Sequence, residues 1–252
     1  MSSLPPGVTQ AAATGFDKLL SVQRPVVIAH LRSIRRGNPN ATPDQVIRIL
    51  ERRYLAAVTA GGAAVGASAA LPVIGVGASV ALSTAETAGF LEASALFAQS
   101  ITELHGITVD DPDRARTLVM TLILGSAGST LVKQLAGEVT GTAPARSAFW
   151  GELVTKSLPK AAVSKVADQL KKSFIRKFGV SQGASIVGRA IPFGIGAVIG
   201  GTGNHILGRQ IIRGSREAFG AAPPFFASSL DVPPRLTRAD RKALKELEQL
   251  SQ

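Results

Sequence analysis

The stretch that decides the fold runs from residue 42 to residue 86, TPDQVIRILERRYLAAVTAGGAAVGASAALPVIGVGASVALSTAE. Thr42 and Pro43 form a helix start: a Thr side chain at the N-cap accepts an otherwise unpaired amide N–H, and Pro at the first helical position forfeits no bond. Val46, Ile47, Leu50, Tyr54 and Leu55 then make an apolar stripe, flanked by Arg48, Arg52 and Arg53. That spacing predicts a helix that is amphipathic where it begins and apolar all round where it continues. Beyond Arg53 no charged residue occurs until Glu86, a run of 32 residues. A helix needs only about 20 apolar residues to cross a bilayer core. Composition pulls the other way, because 15 of the 27 residues from Ala56 to Leu82 are Ala or Gly and only eight are Val, Ile or Leu, so transfer to lipid gains little per residue. Pro72 divides the run by removing a backbone donor and clashing one turn back. The stretch therefore predicts a hairpin of two apolar helices, either buried in a globular core or partly or fully inserted in a membrane.

Outward from the hairpin, helical signals continue. The second helix is expected from about Pro72 to His105, ending at Gly106, which takes the left-handed conformation of a C-cap at no steric cost. Asp110, Asp111 and Pro112 restart a helix, and RTLVMTLILGSAGSTLV carries it without interruption from Arg116 past Val132. GEVTGTAPARS, residues 137–147, reads as a loop. Further helices are expected over 157–178 and from Ser181 through Pro192 to Phe219. Pro223, Pro224, Pro233 and Pro234 bound a linker before a short charged helix over 237–250. No segment alternates long enough for a sheet. The expected fold is all-α, a compact bundle of Ala/Gly-rich helices with apolar helical hairpins. It divides into an N-terminal helical arm (1–41), a helical domain (42–222), and a linker with a charged helix (223–252).

The whole chain of 252 residues carries 28 Lys and Arg against 17 Asp and Glu, a net charge of +11. With no Cys, disulfide frameworks, thiolate metal sites and cysteine nucleophiles are excluded. The N-terminus has no basic segment ahead of a continuous apolar core, so no secretory signal is expected.

Pro192, Gly196, Gly200, Asn204 and Gly208 recur every four residues and share one helical face. A ridge of small residues lets another backbone approach closely, and Asn204 can hydrogen-bond across the contact. This segment, AIPFGIGAVIGGTGNHILGRQIIRGSREAF, is similar to the Pro, Gly-Ala, Gly, Asn pattern of the EcsC family, bacterial helical proteins without an established activity. ELHGITVDDPDRAR looks like the family's Gly, Asp, Pro and Arg segment after a long helix, with His105 where Tyr is expected. The resemblance spans residues 55–220. It implies membrane association and, through a label sometimes given to such proteins, the alternative of a peptidase-like hydrolase.

The residues themselves assemble no catalytic or metal site and no cofactor motif. Gly-Ala-Ser at 66–68, 77–79 and 183–185 lacks the second Gly of a nucleophile elbow. His30, His105 and His205 are not at metal-binding spacing. Glu92, Gln99 and Glu103 share a helical face, where pairing with a basic residue is the simpler role. Between Lys156 and Lys177 lie seven basic residues and one acid. Val163, Val166, Leu170 and Phe174 group on one side of that helix, and Lys160, Lys165, Lys171, Lys172 and Arg176 spread over the other. A basic amphipathic helix suits an anionic membrane surface, whereas the scarcity of aromatic residues speaks against nucleic acid. The expected function is that of a membrane-associated accessory protein. It would bind anionic lipids or a membrane protein at the cytoplasmic face, attached peripherally or partly inserted.

Overall fold

Thr42 opens the helix as its residue type requires. Its Oγ1 accepts from the Gln45 amide at 3.4 Å, and Gln45 Oε1 accepts in return from the Thr42 amide at 2.9 Å. This reciprocal capping box satisfies two donors that the first turn leaves orphaned. The computed structural model describes residues 22–68, 76–140, 151, 154–155, 158–173 and 195–232. Within them lie α1 (Arg24–Gly37), α2 (Pro43–Ser68), α3 (Val76–Leu104), α4 (Pro112–Leu124), α5 (Ser126–Thr140), α6 (160–173), α7 (Ile195–Phe219) and a 3-10 turn at Ser228–Leu230. There is no strand among the described residues, and the molecule is a compact all-α bundle. Pro72, Phe174, Arg176, Pro192, the third Gly-Ala-Ser and the helix expected over 237–250 lie outside the described residues.

α2 and α3 run antiparallel. About midway along α2 the Tyr54 hydroxyl lies 2.9 Å from that of Ser94, and the Tyr54 ring stacks on Phe97 with centroids 4.6 Å apart. One turn further along α2, Asn204 of α7 bridges the Val58 carbonyl and Glu86 of α3, both at 3.1 Å. The two helices of the sequence-predicted hairpin are therefore paired, and among the described residues no helix is long and apolar enough to cross a membrane. α3 ends as expected: Gly106 has φ +68° and donates to the Glu103 carbonyl.

Two expectations are corrected. The apolar stretch after Arg116 is not one helix, because Gly125 (φ +66°) breaks it and Ser126 begins α5. The positive φ at this turn requires glycine, and a side chain at Gly125 would in addition displace the Gln210 amide of α7. Conversely, α5 continues to Thr140 and takes in the first four residues of the stretch read as a loop. One helical Gly costs only about 1 kcal/mol relative to Ala, and Gly137 does not end the helix.

α4 is the central element. Every residue from Thr117 to Leu124 is buried, the condition of a helix surrounded by neighbours on all sides. The buried hydroxyls of Thr117 and Thr121 donate to the carbonyls of Asp113 and Thr117, one turn back. α1 contributes Val27, Leu31 and Ile34 to the same core, so the described part of the N-terminal arm belongs to the bundle. Leu230, beyond the first Pro pair, is also fully buried in that core.

Candidate functional site

The glycine ridge of α7 faces α2. Gly208 meets Tyr54, Leu55 and Val58, Asn204 meets Val58, and Gly200 meets Gly62 and Gly66. Positions rise along one helix as they fall along the other, so the pair is antiparallel. A Cβ at Gly62 would lie 2.6 Å from the Gly200 carbonyl oxygen, closer than real contacts allow. The sequence reading found one side of this contact and missed the other. Val58, Gly62 and Gly66 share the same four-residue spacing on α2 and were legible inside the Ala/Gly run. The described part of the ridge is thus an internal seam. Its polar member, Asn204, spends its amide hydrogens on Val58 and Glu86. Thr59 and His205 close the seam with a contact of 3.2 Å between Oγ1 and Nδ1.

This register fixes where charge begins. The outward-facing residues of α2 beyond Arg53 are Ala56, Ala57, Ala60, Gly61, Ala64 and Ala67. On α7 the stretch from Ile195 to Gly208 holds no Asp, Glu, Lys or Arg, and its exposed residues include Thr202, Gly203 and Ile206. Because Gly208 packs against Tyr54 and Leu55, Arg53 and Arg209 stand at one height. On α3 the first exposed charged residue is Glu92, two positions before the Ser94 that touches Tyr54. On all three helices fully exposed charge begins at a common level, with the half-buried Glu86 of α3, bonded to Asn204, as the one acid beyond it among their described residues, and Ile206 is 60% exposed on that side.

The opposite end is held by arginines. Arg24 grips Glu103 through two bonds of 2.9 and 3.0 Å, and Ser229 donates to the same carboxylate at 2.8 Å. The Glu103 hydrogen bond raises the Arg24 pKa above its ordinary value. Arg32 and Arg35 donate to the carbonyls of Ser229 and Leu230, and Arg35 covers the Phe226 ring at 3.9 Å. Arg114 donates to the carbonyls of Val154 and Leu158 at 2.7 and 2.6 Å. Arg216 forks onto the buried Glu51, whose hydrogen bond raises the arginine's pKa. Sequence reading missed all of these long-range pairs, since nothing local marks an arginine's partner many residues away. Of the three residues read as sharing a face of α3, Glu103 is bound in this way, Gln99 is buried and Glu92 is exposed.

α6 divides as its sequence pattern divides. Val163, Val166 and Leu170 are buried in the core, and Lys165 and Lys172 are exposed. Lys160 is exposed and lies 3.8 Å from Asp111, at the capped start of α4 and away from the uncharged end. Lys171 is half-buried. The apolar face of α6 is used up by packing, which leaves its charge as what it can offer a partner.

The described residues provide no assembled catalytic constellation. Gly66-Ala67-Ser68 ends α2 and Gly77-Ala78-Ser79 lies in the first turns of α3, whereas a nucleophile elbow needs a preceding strand. No group of three or more His, Asp or Glu among them stands close enough to hold a metal ion. No family model, curated protein or solved structure matches the chain.

Proposed function

We propose that this protein binds an anionic membrane surface without crossing it, with the end of α2, α3 and α7 that bears no fully exposed charge as its lipid-facing part. The observation that carries the reading is the common height at which exposed charge begins on those three helices. A soluble surface mixes charge throughout. Here six exposed positions in a row on α2 are Ala or Gly. From Arg53 to Ser68 the α2 axis spans 15 residues, or about 22 Å at 1.5 Å per residue. That depth exceeds one hydrocarbon leaflet of roughly 15 Å and falls short of the full core of about 30 Å. Arg53 and Arg209 then stand at headgroup level, where their long side chains can bury methylene and keep the charge in the polar layer.

The net charge of +11 and the exposed Lys165 and Lys172 of α6 supply a longer-range attraction. It is worth about 1 kcal/mol per basic residue near the surface and decays over a Debye length. With the apolar face of α6 buried in the core, that helix contributes field and not insertion. The sequence resemblance to the EcsC family supports the same reading.

Co-sedimentation with vesicles of equal parts phosphatidylglycerol and phosphatidylcholine tests it. Binding to these vesicles and not to pure phosphatidylcholine is expected, with a Lys165→Gln/Lys172→Gln double variant weaker at low salt and closer to wild type at high salt. Equal recovery with both lipids, or none with either, refutes the proposal.

A further inference from the structure

The turn between α1 and α2 borders an open surface groove of about 480 Å3 lined by Asn38, Asn40, Gln45, Arg48, Ile49 and Arg52 together with Pro39 and Ala41. Its volume falls within the range of small-molecule sites, roughly 300–1,000 Å3. We infer that this groove binds a phosphate ester, with the Arg52 guanidinium as its principal anchor.

The argument rests on which donors remain unspent. Arg52 forms no ion pair among the described residues; its Nε reaches the Arg48 carbonyl at 3.4 Å, leaving both terminal nitrogens to the groove. Arg48 holds Asp44 through Nε and one terminal nitrogen, which leaves the other. Gln45 Oε1 accepts from the Thr42 amide. That bond fixes the orientation of the side-chain amide and leaves its NH2 as a pure donor. The Asn38 NH2 is spent on the Ile34 carbonyl, whereas Asn40 is exposed on the rim. The lining therefore holds several directed donors, two guanidinium groups and no acid.

A planar guanidinium fork suits the paired oxygens of a phosphate, and several convergent donors suit a tetrahedral anion better than a single carboxylate. Ile49, with Pro39 and Ala41, gives the groove an apolar floor, so the ester's organic part has a surface to rest on. The arrangement does not depend on the membrane reading. The same phosphate chemistry is offered by a lipid headgroup and by a soluble phosphate ester.

Titration of the isotope-labelled full chain with glycerol 3-phosphate, followed by amide chemical shifts, tests the inference. Saturable shifts confined to residues 38–53 are expected, with glycerol alone producing none. Arg52 is exposed, so Arg52→Gln should keep the fold, which circular dichroism verifies. It should weaken binding roughly tenfold, the loss of one charge-assisted contact. A Lys133→Gln variant, at an exposed lysine of α5 outside the groove, should bind as wild type does. Competition by phosphatidylglycerol vesicles would assign the site to a lipid headgroup, and lack of competition to a soluble ester. Wild-type affinity in Arg52→Gln, or shifts spread over every basic surface, would overturn the inference. Failure of the protein to bind vesicles would refute the membrane proposal alone and leave this site standing.

Discussion

The two ends of the bundle are held by opposite means. At the uncharged end α2 and α7 approach so closely that Gly62 and Gly200 meet backbone to backbone, and the main side-chain polar links are Asn204 and the contact between Thr59 and His205. At the charged end, gaps between helices and irregular segments are spanned by long side chains: Arg24, Arg32, Arg35 and Arg114 reach carboxylates or main-chain carbonyls. Small residues permit contact only between regular, parallel-sided elements. Arginines can serve loops, because one guanidinium satisfies several acceptors in different directions. The difference teaches that low side-chain volume and high charge are two solutions to one packing problem, and that this chain separates them in space.

The comparison breaks most sharply at the seam. Gly62→Ala should cost about 2–3 kcal/mol in urea unfolding, because the new methyl meets the Gly200 carbonyl and rigid backbone must move. Next in size is Glu103→Ala at the other end. It removes the partner of both Arg24 and Ser229, and a loss of about 2 kcal/mol is expected. That value is discounted from a fully buried pair because Arg24 is 34% exposed. Smaller and opposite in sign is Gly61→Ala, one residue from the seam, where a Cβ would meet nothing within 4 Å. Removing glycine's unfolded-state freedom should stabilise the protein by about 0.5–1 kcal/mol. Neighbouring glycines with opposite outcomes would confirm the register; equal outcomes would refute it.

The smallest effect concerns His30, whose pKa is pushed down by partial burial and by the Arg53 charge. The unfolded chain then binds the proton more readily than the folded one, so this contribution is present above the ordinary histidine pKa and is lost as pH falls through it. Arg53→Gln should shrink that dependence, which urea unfolding at pH 7.5 and pH 5.5 would measure.

Much of this was legible in the sequence. The capped start at Thr42, the hairpin, the end at Gly106 and the buried stripe of α6 follow from periodicity and punctuation, both local properties. Gly200, Asn204 and Gly208 were identified as a contact face because four-residue spacing defines a face before any partner is known. Gly125 was misread because a glycine in an apolar run does not announce a break: Gly128, three residues on, remains helical, and what separates the two is the positive φ that Gly125 adopts. The arginine clamps and the common charge level were not legible. The first join residues as far apart as Arg32 and Ser229, and the second requires knowing that residue 53 lies beside residue 209.

The claim that the uncharged end meets lipid can be tested by a single labelling measurement, since the chain contains no Cys. Ala64→Cys near the tip of α2 and Glu217→Cys at the charged end of α7 would each carry an environment-sensitive dye, added to vesicles of equal parts phosphatidylglycerol and phosphatidylcholine. The account predicts a blue shift and increased emission at position 64 and no change at position 217. No change at 64, or equal changes at both positions, would contradict it.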